Sequence, residues 1–187
     1  MQPSLANVSL ALGALLLLKG VFAFASPKVF TGLVKGFPRN TPLGVVLMLV
    51  ATGWFLSIAQ AESFADFENI KPIILGVFAL VGITACIFVR DFLPVRALAV
   101  LFLLMAKVMV DAGRPHLAES RLVLVNQYFA YVLILAGMWL TVSPYRLRDW
   151  QDWILSSATR LKIAAAAWVG FGGFLVWLGL TVFKKLS

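Results

Sequence analysis

Six apolar runs, each about 18 to 21 residues long, divide the chain and leave only short polar stretches between them. A helical run of that length, rising ~1.5 Å per residue, covers the ~30 Å hydrocarbon core of a bilayer. Backbone groups in lipid must be satisfied within their own segment, and these runs are too long and continuous for barrel strands. The sequence therefore predicts an all-α, polytopic membrane protein that forms one integral membrane domain over residues 1–187. The predicted spans are 5–25, 42–60, 72–89, 94–112, 122–142 and 163–183.

Composition agrees with this class and argues against others. Hydrophobic residues make up 61% of the chain, against the ~45–50% that is typical of soluble domains. The net charge of +8 does not indicate a nucleic-acid partner, because no Lys/Arg-rich cluster is present and basic residues of polytopic proteins collect in cytoplasmic loops. The single cysteine, Cys86, lies in mid-span and can form neither an intrachain disulfide nor a thiolate metal site.

The distribution of basic residues predicts the orientation. Nine of the 16 Lys and Arg residues lie on the side of the membrane that holds the loop between the first and second spans, and five lie on the other side. The positive-inside rule places the richer side in the cytoplasm of a bacterial-type inner membrane, with both termini extracytoplasmic. The nine residues are Lys28, Lys35, Arg39, Arg90, Arg96, Arg146, Arg148, Arg160 and Lys162.

Two segments share one pattern, 19–27 (KGVFAFASP) and 136–144 (AGMWLTVSP). In both, a glycine near the start is followed by apolar residues and by Ser-Pro. Each copy closes an apolar run, leads into an amphipathic stretch and is followed by another apolar run. Four crossings separate the copies, so a duplication would be a parallel repeat of a helical hairpin. The alternative is common local chemistry, since Ser and Pro both favour helix starts. The repeat units would be 5–60 and 122–183, around a central hairpin 72–112.

Each stretch after a Ser-Pro pair is predicted to be a short amphipathic helix in the membrane interface. In the second stretch, Leu147, Trp150 and Ile154 recur on one helical face. The first stretch is weaker because it contains two glycines and Pro38. Either the two helices dock a partner at the membrane surface, or they are linkers held by aromatic and basic side chains. The predicted interfacial anchors are Trp150, Trp153, Arg146 and Arg148.

Small residues recur at helical spacing in two spans and predict close helix contacts there. Apolar burial gives no net drive between helices in lipid, so close packing of backbones has to supply the attraction. The stripes are Gly76, Ala79, Gly82 and Ala85 in the third span, Ala165, Gly172 and Gly179 in the sixth, and Ala166 with Gly170 also in the sixth.

Ionisable residues inside spans suggest a function by default, because each costs about 2.5–3.5 kcal/mol at the bilayer centre. Lys107 has an explanation nearby, since Asp111 is four residues on and the two can form an ion pair. Lys19 has no such neighbour. With Arg90 and Arg96 on the same side of the membrane, Lys19 is predicted to form a basic recess for an anionic lipid or ligand. The alternative is that these long side chains snorkel to bulk headgroups.

The sequence contains no recognisable catalytic or cofactor-binding constellation. Its one histidine, His116, excludes bis-histidine haem ligation within the chain, and we expect no enzyme activity, resident cofactor or metal. The leading hypothesis is a non-catalytic integral subunit that packs against other chains of a membrane complex, with membrane lipids and protein partners. The alternative is a small transporter or a lipid- or anion-binding protein. A transport path should gather the polar residues of the spans around one cavity, namely Lys19, Lys107, Asn126, Gln127, Tyr128 or Tyr131.

Overall fold

The computed structural model describes residues 4–62 and 65–186, and it contains no strand within those ranges. Six of its helices are long and apolar enough to cross a membrane, which supports a multi-pass membrane protein and confirms the six predicted spans as helices. The eight α-helices of the described residues are α1 (Leu5–Ala25), α2 (Pro27–Gly36), α3 (Thr41–Ala61), α4 (Lys71–Phe88), α5 (Leu93–Gly113), α6 (Val123–Val142), α7 (Tyr145–Leu155) and α8 (Ala158–Thr181).

The helix ends agree closely with the predicted spans, and α8 shows the largest difference. It begins at Ala158, five residues before the predicted start at residue 163. Arg160 and Lys162 lie in its first two turns and are both exposed. A boundary drawn at the last charged residue therefore misses the turns that a helix makes before it enters the apolar core.

The two Ser-Pro segments make the same backbone connection. The N–H of Ser26 donates to Phe22 O at 3.0 Å, and the N–H of Ser143 donates to Trp139 O at 2.8 Å. Each serine thus closes the helix before it, and a new helix begins just after, at Pro27 or Tyr145. Duplication of the whole hairpin stays a prediction.

Both connectors are helical, as the sequence predicted. α2 continues through Gly32 to Gly36, although its glycines indicated a weaker helix. Phe30 is buried and Val34 packs beside it, so tertiary packing outweighs the low helix propensity of glycine. The position of α2 and α7 in a membrane interface stays a prediction.

The described residues group into two compact units. The first comprises Met1–Lys35, Met105–Leu135 and Arg148–Ser187, and the second comprises Gly36–Leu104 and Ala136–Leu147. The chain passes from one unit to the other four times, within α2, α5, α6 and α7. Every residue of α5 is buried or half-buried, because its first half packs in the second unit and its second half packs in the first.

In the first unit, α1 and α8 lie antiparallel in close contact. A Cβ added to Gly13 would lie 2.8 Å from Gly172 O, and one added to Gly20 would lie 2.9 Å from Ala165 O. Small residues therefore meet at intervals of seven along both helices, and the stripe predicted in the sixth span is confirmed as a helix interface. The facing residues are Ala6, Gly13 and Gly20 on α1 and Gly179, Gly172 and Ala165 on α8.

In the second unit, α4 packs on α3 over a narrow face. Gly82, the one buried residue of α4, contacts Thr52, and the Phe55 and Phe78 rings lie 4.9 Å apart in a T-shaped pair. Nothing lies within 4 Å of a Cβ placed on Gly76. The stripe predicted in the third span is therefore a helix contact at Gly82 and an open surface at Gly76.

Candidate functional site

Lys19 lies on the core-facing side of α1. It follows Leu12 by seven residues and Val8 by eleven, and both spacings return to the same helical face. Leu12 and Val8 are buried, whereas Leu15 and Leu18 on the outer face are 60% and 68% exposed. Lys19 itself is exposed, whereas Gly20 and Ala23 are buried, so Lys19 lies at the edge of the buried face of α1.

The Lys19 side chain contacts one end of a chain of three aromatic rings from α8, α2 and α1. The Lys19 Nζ lies 4.1 Å from the centroid of the Trp168 ring, a cation–π contact. Phe30 of α2 lies 5.9 Å from Trp168 and 5.9 Å from Phe22, measured between ring centroids. These four residues, Lys19, Phe22, Phe30 and Trp168, are called the Lys19 site below.

The ammonium of Lys19 has no oxygen partner among the described residues: its contact is the Trp168 face. A cation–π contact contributes about 0.5–2 kcal/mol, while a lysine at the bilayer centre costs about 2.5–3.5 kcal/mol. Its three N–H groups also remain available as donors. The electrostatic needs of Lys19 are therefore only partly met within the chain.

Arg96 has a structural explanation within the second unit. Its Nη1 donates to Thr141 O at 3.4 Å, at the end of α6, where the last carbonyls lack intrahelical partners and the helix dipole favours a cation. Its Nε is buried and makes no hydrogen bond within the described part of the chain. Arg90 is exposed. Because Lys19 belongs to the other unit, the recess shared by Lys19, Arg90 and Arg96 stays a prediction.

The predicted anchors of α7 are exposed, as an anchoring role requires. Trp150 and Trp153 are 63% and 56% exposed. Arg146 lies over the Tyr145 ring at 5.5 Å, and Arg148 donates to Asp149 Oδ1 at 3.4 Å. In contrast, Ile154 and Leu155 pack against a cluster that holds Phe30, Leu161 and Ala165. Anchoring by these four side chains stays a prediction.

The other polar residues of the spans are spread over several surfaces of the first unit. Lys107 Nζ and Asp111 Oδ2 are 2.6 Å apart, so the predicted ion pair is confirmed. Asn126 is fully buried, and its Nδ2 donates to Met109 O at 3.2 Å, which joins α6 to α5. Lys107 and Asp111 lie on the opposite face of α5, because two residues correspond to about 200° of helical rotation from Met109.

Gln127, Tyr128 and Tyr131 are the remaining polar residues that a transport path was expected to gather. Gln127 is buried, with its Oε1 3.0 Å from where a Cβ on Gly113 would be. Tyr128 and Tyr131, by contrast, are 66% and 50% exposed. The amides of α6 therefore face α5 while the tyrosines point away from the unit, which differs from the single polar lining that a transport path would need.

A second small-residue surface lies on the outer side of α8. Gly170 has no atom within 4 Å of an added Cβ, and Ala166, one turn earlier, is exposed. Nearby, the exposed rings of Phe174 and Trp177 stack 6.0 Å apart. We call this the outer α8 surface; it faces away from the stripe that contacts α1.

The described residues contain no group of three or more His, Cys, Asp or Glu side chains that could hold a metal ion. His116 Nδ1 lies 3.0 Å from Glu119 Oε2 in the turn after α5. Cys86 Sγ lies 3.4 Å from Gly82 O, a contact within its own helix.

Comparison of the chain with protein-family models, with curated proteins and with solved structures gives no match.

The groups that contact Lys19 and Arg96 were not predicted from the sequence. Trp168 becomes the neighbour of Lys19 only through the antiparallel register of α1 and α8. A signal existed, because Ala6, Gly13 and Gly20 repeat every seven residues, as Ala165, Gly172 and Gly179 do. The contact of Arg96 with Thr141 O has no sequence signal, since a backbone carbonyl is present at every residue.

Proposed function

We propose that the chain is a non-catalytic integral subunit that packs against other chains of a membrane complex. The observation that carries the proposal is the outer α8 surface. Ala166 and Gly170 are four residues apart, the spacing that lets two membrane helices approach closely, and the described part of the first unit leaves both uncovered. The exposed Phe174 and Trp177 beside them are the residue types that anchor protein interfaces.

The surface of α4 supports the same proposal in the second unit. One residue of this helix is buried, and most of its large apolar side chains are exposed, beside the open Gly76. Exposed apolar side chains are also what lipid contact requires, so hydrophobicity alone does not distinguish a partner from lipid. The open glycines favour a protein partner, because lipid contact places no premium on small residues.

Extraction from native membranes at natural expression level tests this proposal. Size analysis in a mild detergent should show an assembly that contains the chain together with other polypeptides. Gly170→Leu and Gly76→Leu add bulk where the described residues have no atom within 4 Å of the added Cβ, so they should release the chain from that assembly without unfolding it. Val77→Leu, at an exposed position of α4, is the matched control and should leave the assembly intact.

A chain that migrates alone, or only with copies of itself, would count against the proposal. So would an assembly that survives both glycine substitutions.

A further inference from the structure

We propose that the Lys19 site binds the acidic group of an anionic amphiphile, either a phospholipid phosphate or a fatty-acid carboxylate, where α1, α2 and α8 meet. This inference is independent of the scaffold proposal, since it concerns a small ligand of the first unit. It rests on an ammonium group within a membrane span that the described residues supply with an aromatic face and with no anion.

The ammonium of Lys19 has no anionic partner among the described residues. Charged groups inside membrane spans normally pair with an opposite charge or with backbone carbonyls. The ammonium of Lys19 lies 4.1 Å from the Trp168 centroid, which occupies one side of it and satisfies no N–H donor. Its remaining donors point to a partner from outside the described chain, and an oxyanion accepts them best.

The Lys19 side chain does not extend to the near end of α1. Helical side chains lean toward the N-terminus, whereas the near end of α1 is Ala25, six residues or about 9 Å further on. Trp168, which holds the ammonium, lies level with Lys19 because Gly20 faces Ala165 and Val169. The Lys19 charge therefore lies deeper in the membrane span than the Ala25 end of α1. A lipid can reach that depth more easily than a hydrated free ion can.

The aromatic and basic side chains near Lys19 suit an amphiphile. Phe22 is exposed and Trp168 half-buried, so both rings can contact the chain of a lipid whose acidic group binds the ammonium, while the buried Phe30 supports them from behind. Exposed basic side chains surround the nearby helix ends and attract anionic lipid to this surface, where Asp149 and Asp152 are the exposed acidic groups. These basic residues of the first unit are Lys28, Lys35, Arg148, Arg160 and Lys162.

The test uses the full chain reconstituted in nanodiscs of phosphatidylcholine, with or without phosphatidylglycerol, and in a separate arm with oleate. Lipid that stays bound after transfer to detergent is counted by native mass spectrometry. The wild type should retain phosphatidylglycerol, oleate or both in preference to phosphatidylcholine. Lys19→Met should reduce that retention at least about tenfold, which corresponds to ~1.4 kcal/mol, and Lys19→Arg should keep most of it.

Lys162→Met is the matched control, because it removes one exposed lysine from the same unit outside the Lys19 site and should change retention less than about twofold. The arm that responds to Lys19→Met identifies the source of the acidic group. Equal loss in Lys19→Met and Lys162→Met would mean non-specific attraction to a basic surface and would overturn the proposal.

A second readout does not depend on whether Lys19→Met folds. A ligand that binds the folded state raises its stability, so phosphatidylglycerol or oleate should raise the Tm of the wild type above its value in phosphatidylcholine alone. An unchanged Tm together with no selective retention of either anionic amphiphile would overturn the proposal.

Discussion

The α1/α8 pair of the first unit and the α3/α4 pair of the second are built from spans that are all long and strongly apolar, yet they pack differently. α1 and α8 meet at three levels, through Ala6 with Gly179, Gly13 with Gly172, and Gly20 with Ala165. α3 and α4 meet around Gly82 and Thr52 and through the Phe55–Phe78 ring pair. The first pair is a continuous contact, and the second is a narrow one.

The difference shows that apolarity alone does not determine which helices pack. Lipid tails are as apolar as leucine, so burying an apolar side chain between helices gives little net free energy. Two helices associate where their backbones can approach and their side chains interdigitate over several turns. On this account the register of small residues, matched on α1 and α8, determines the strength of the contact.

The largest expected effect is at the α1/α8 contact. Gly13→Leu places a side chain where a Cβ alone would lie 2.8 Å from both Gly172 O and Val176 Cγ2. Backbone cannot move aside as a flexible side chain can, so we expect a loss of about 3 kcal/mol, the upper part of the usual range for overpacking. SDS titration of the purified chain in mild detergent measures it. A loss below about 1 kcal/mol would show that α1 and α8 do not depend on close approach.

A smaller effect is expected at the α3/α4 contact. Gly82→Leu would collide with the Thr52 side chain, but Gly82 is the one buried residue of α4, and beyond it the helix is held by the half-buried Ala85 and Cys86 and by the Phe78 ring. The helix can shift outward, and we expect a loss of about 1–2 kcal/mol. Gly76→Leu, on the same helix with nothing within 4 Å, should cost less than ~0.5 kcal/mol. If Gly82→Leu costs as much as Gly13→Leu, the contrast between the two pairs is wrong.

The third prediction separates polar from apolar contributions in the first unit. Asn126→Leu removes the hydrogen bond from Nδ2 to Met109 O, and interhelical bonds of this kind contribute about 0.6 kcal/mol on average and at most ~1.7. We therefore expect less destabilisation from Asn126→Leu than from Gly13→Leu in the same SDS titration. The reverse order would mean that polar contacts, and not small residues, dominate this unit.

The smallest effect is expected from the aromatic pairs, which both units contain. Phe55→Leu should lose the T-shaped contact with Phe78, and Phe129→Leu should lose that with Phe171, whose ring centroid lies 5.0 Å away. Such pairs contribute about 0.5–1.5 kcal/mol. Similar losses at the two sites, measured by the same titration, would support the view that helix register makes the main difference between the units.

Much of the fold could be predicted from the sequence because a bilayer imposes a simple rule. The first helix, Leu5–Ala25, begins and ends at the predicted residues, since long apolar runs in lipid must be helical. The pair of Lys107 and Asp111 was also predictable, because one helical turn fixes their separation.

Helix partners were harder to predict. All faces of a membrane helix are apolar, so periodicity does not reveal which face meets another helix. The sequence marked Gly76 and Gly82 of α4 equally, but the structure uses Gly82 and leaves Gly76 open. Likewise, the register of α1 and α8 places Trp168 beside Lys19, and the apolarity of the two spans does not specify that register. The candidate site was therefore only half predicted, in its charged residue and not in its aromatic partners.

The most direct test of the central claim compares two glycines of α8 that are two residues apart. Gly172 faces Gly13 and Leu17, while Gly170 lies on the outer α8 surface with nothing within 4 Å. Leucine has the same effect on intrinsic helix propensity at both positions, so the difference between Gly172→Leu and Gly170→Leu isolates helix packing. If the register of small residues determines the α1/α8 contact, the free energy of unfolding in mild detergent should fall by at least about 2 kcal/mol more for Gly172→Leu. Equal values for the two variants would contradict the account.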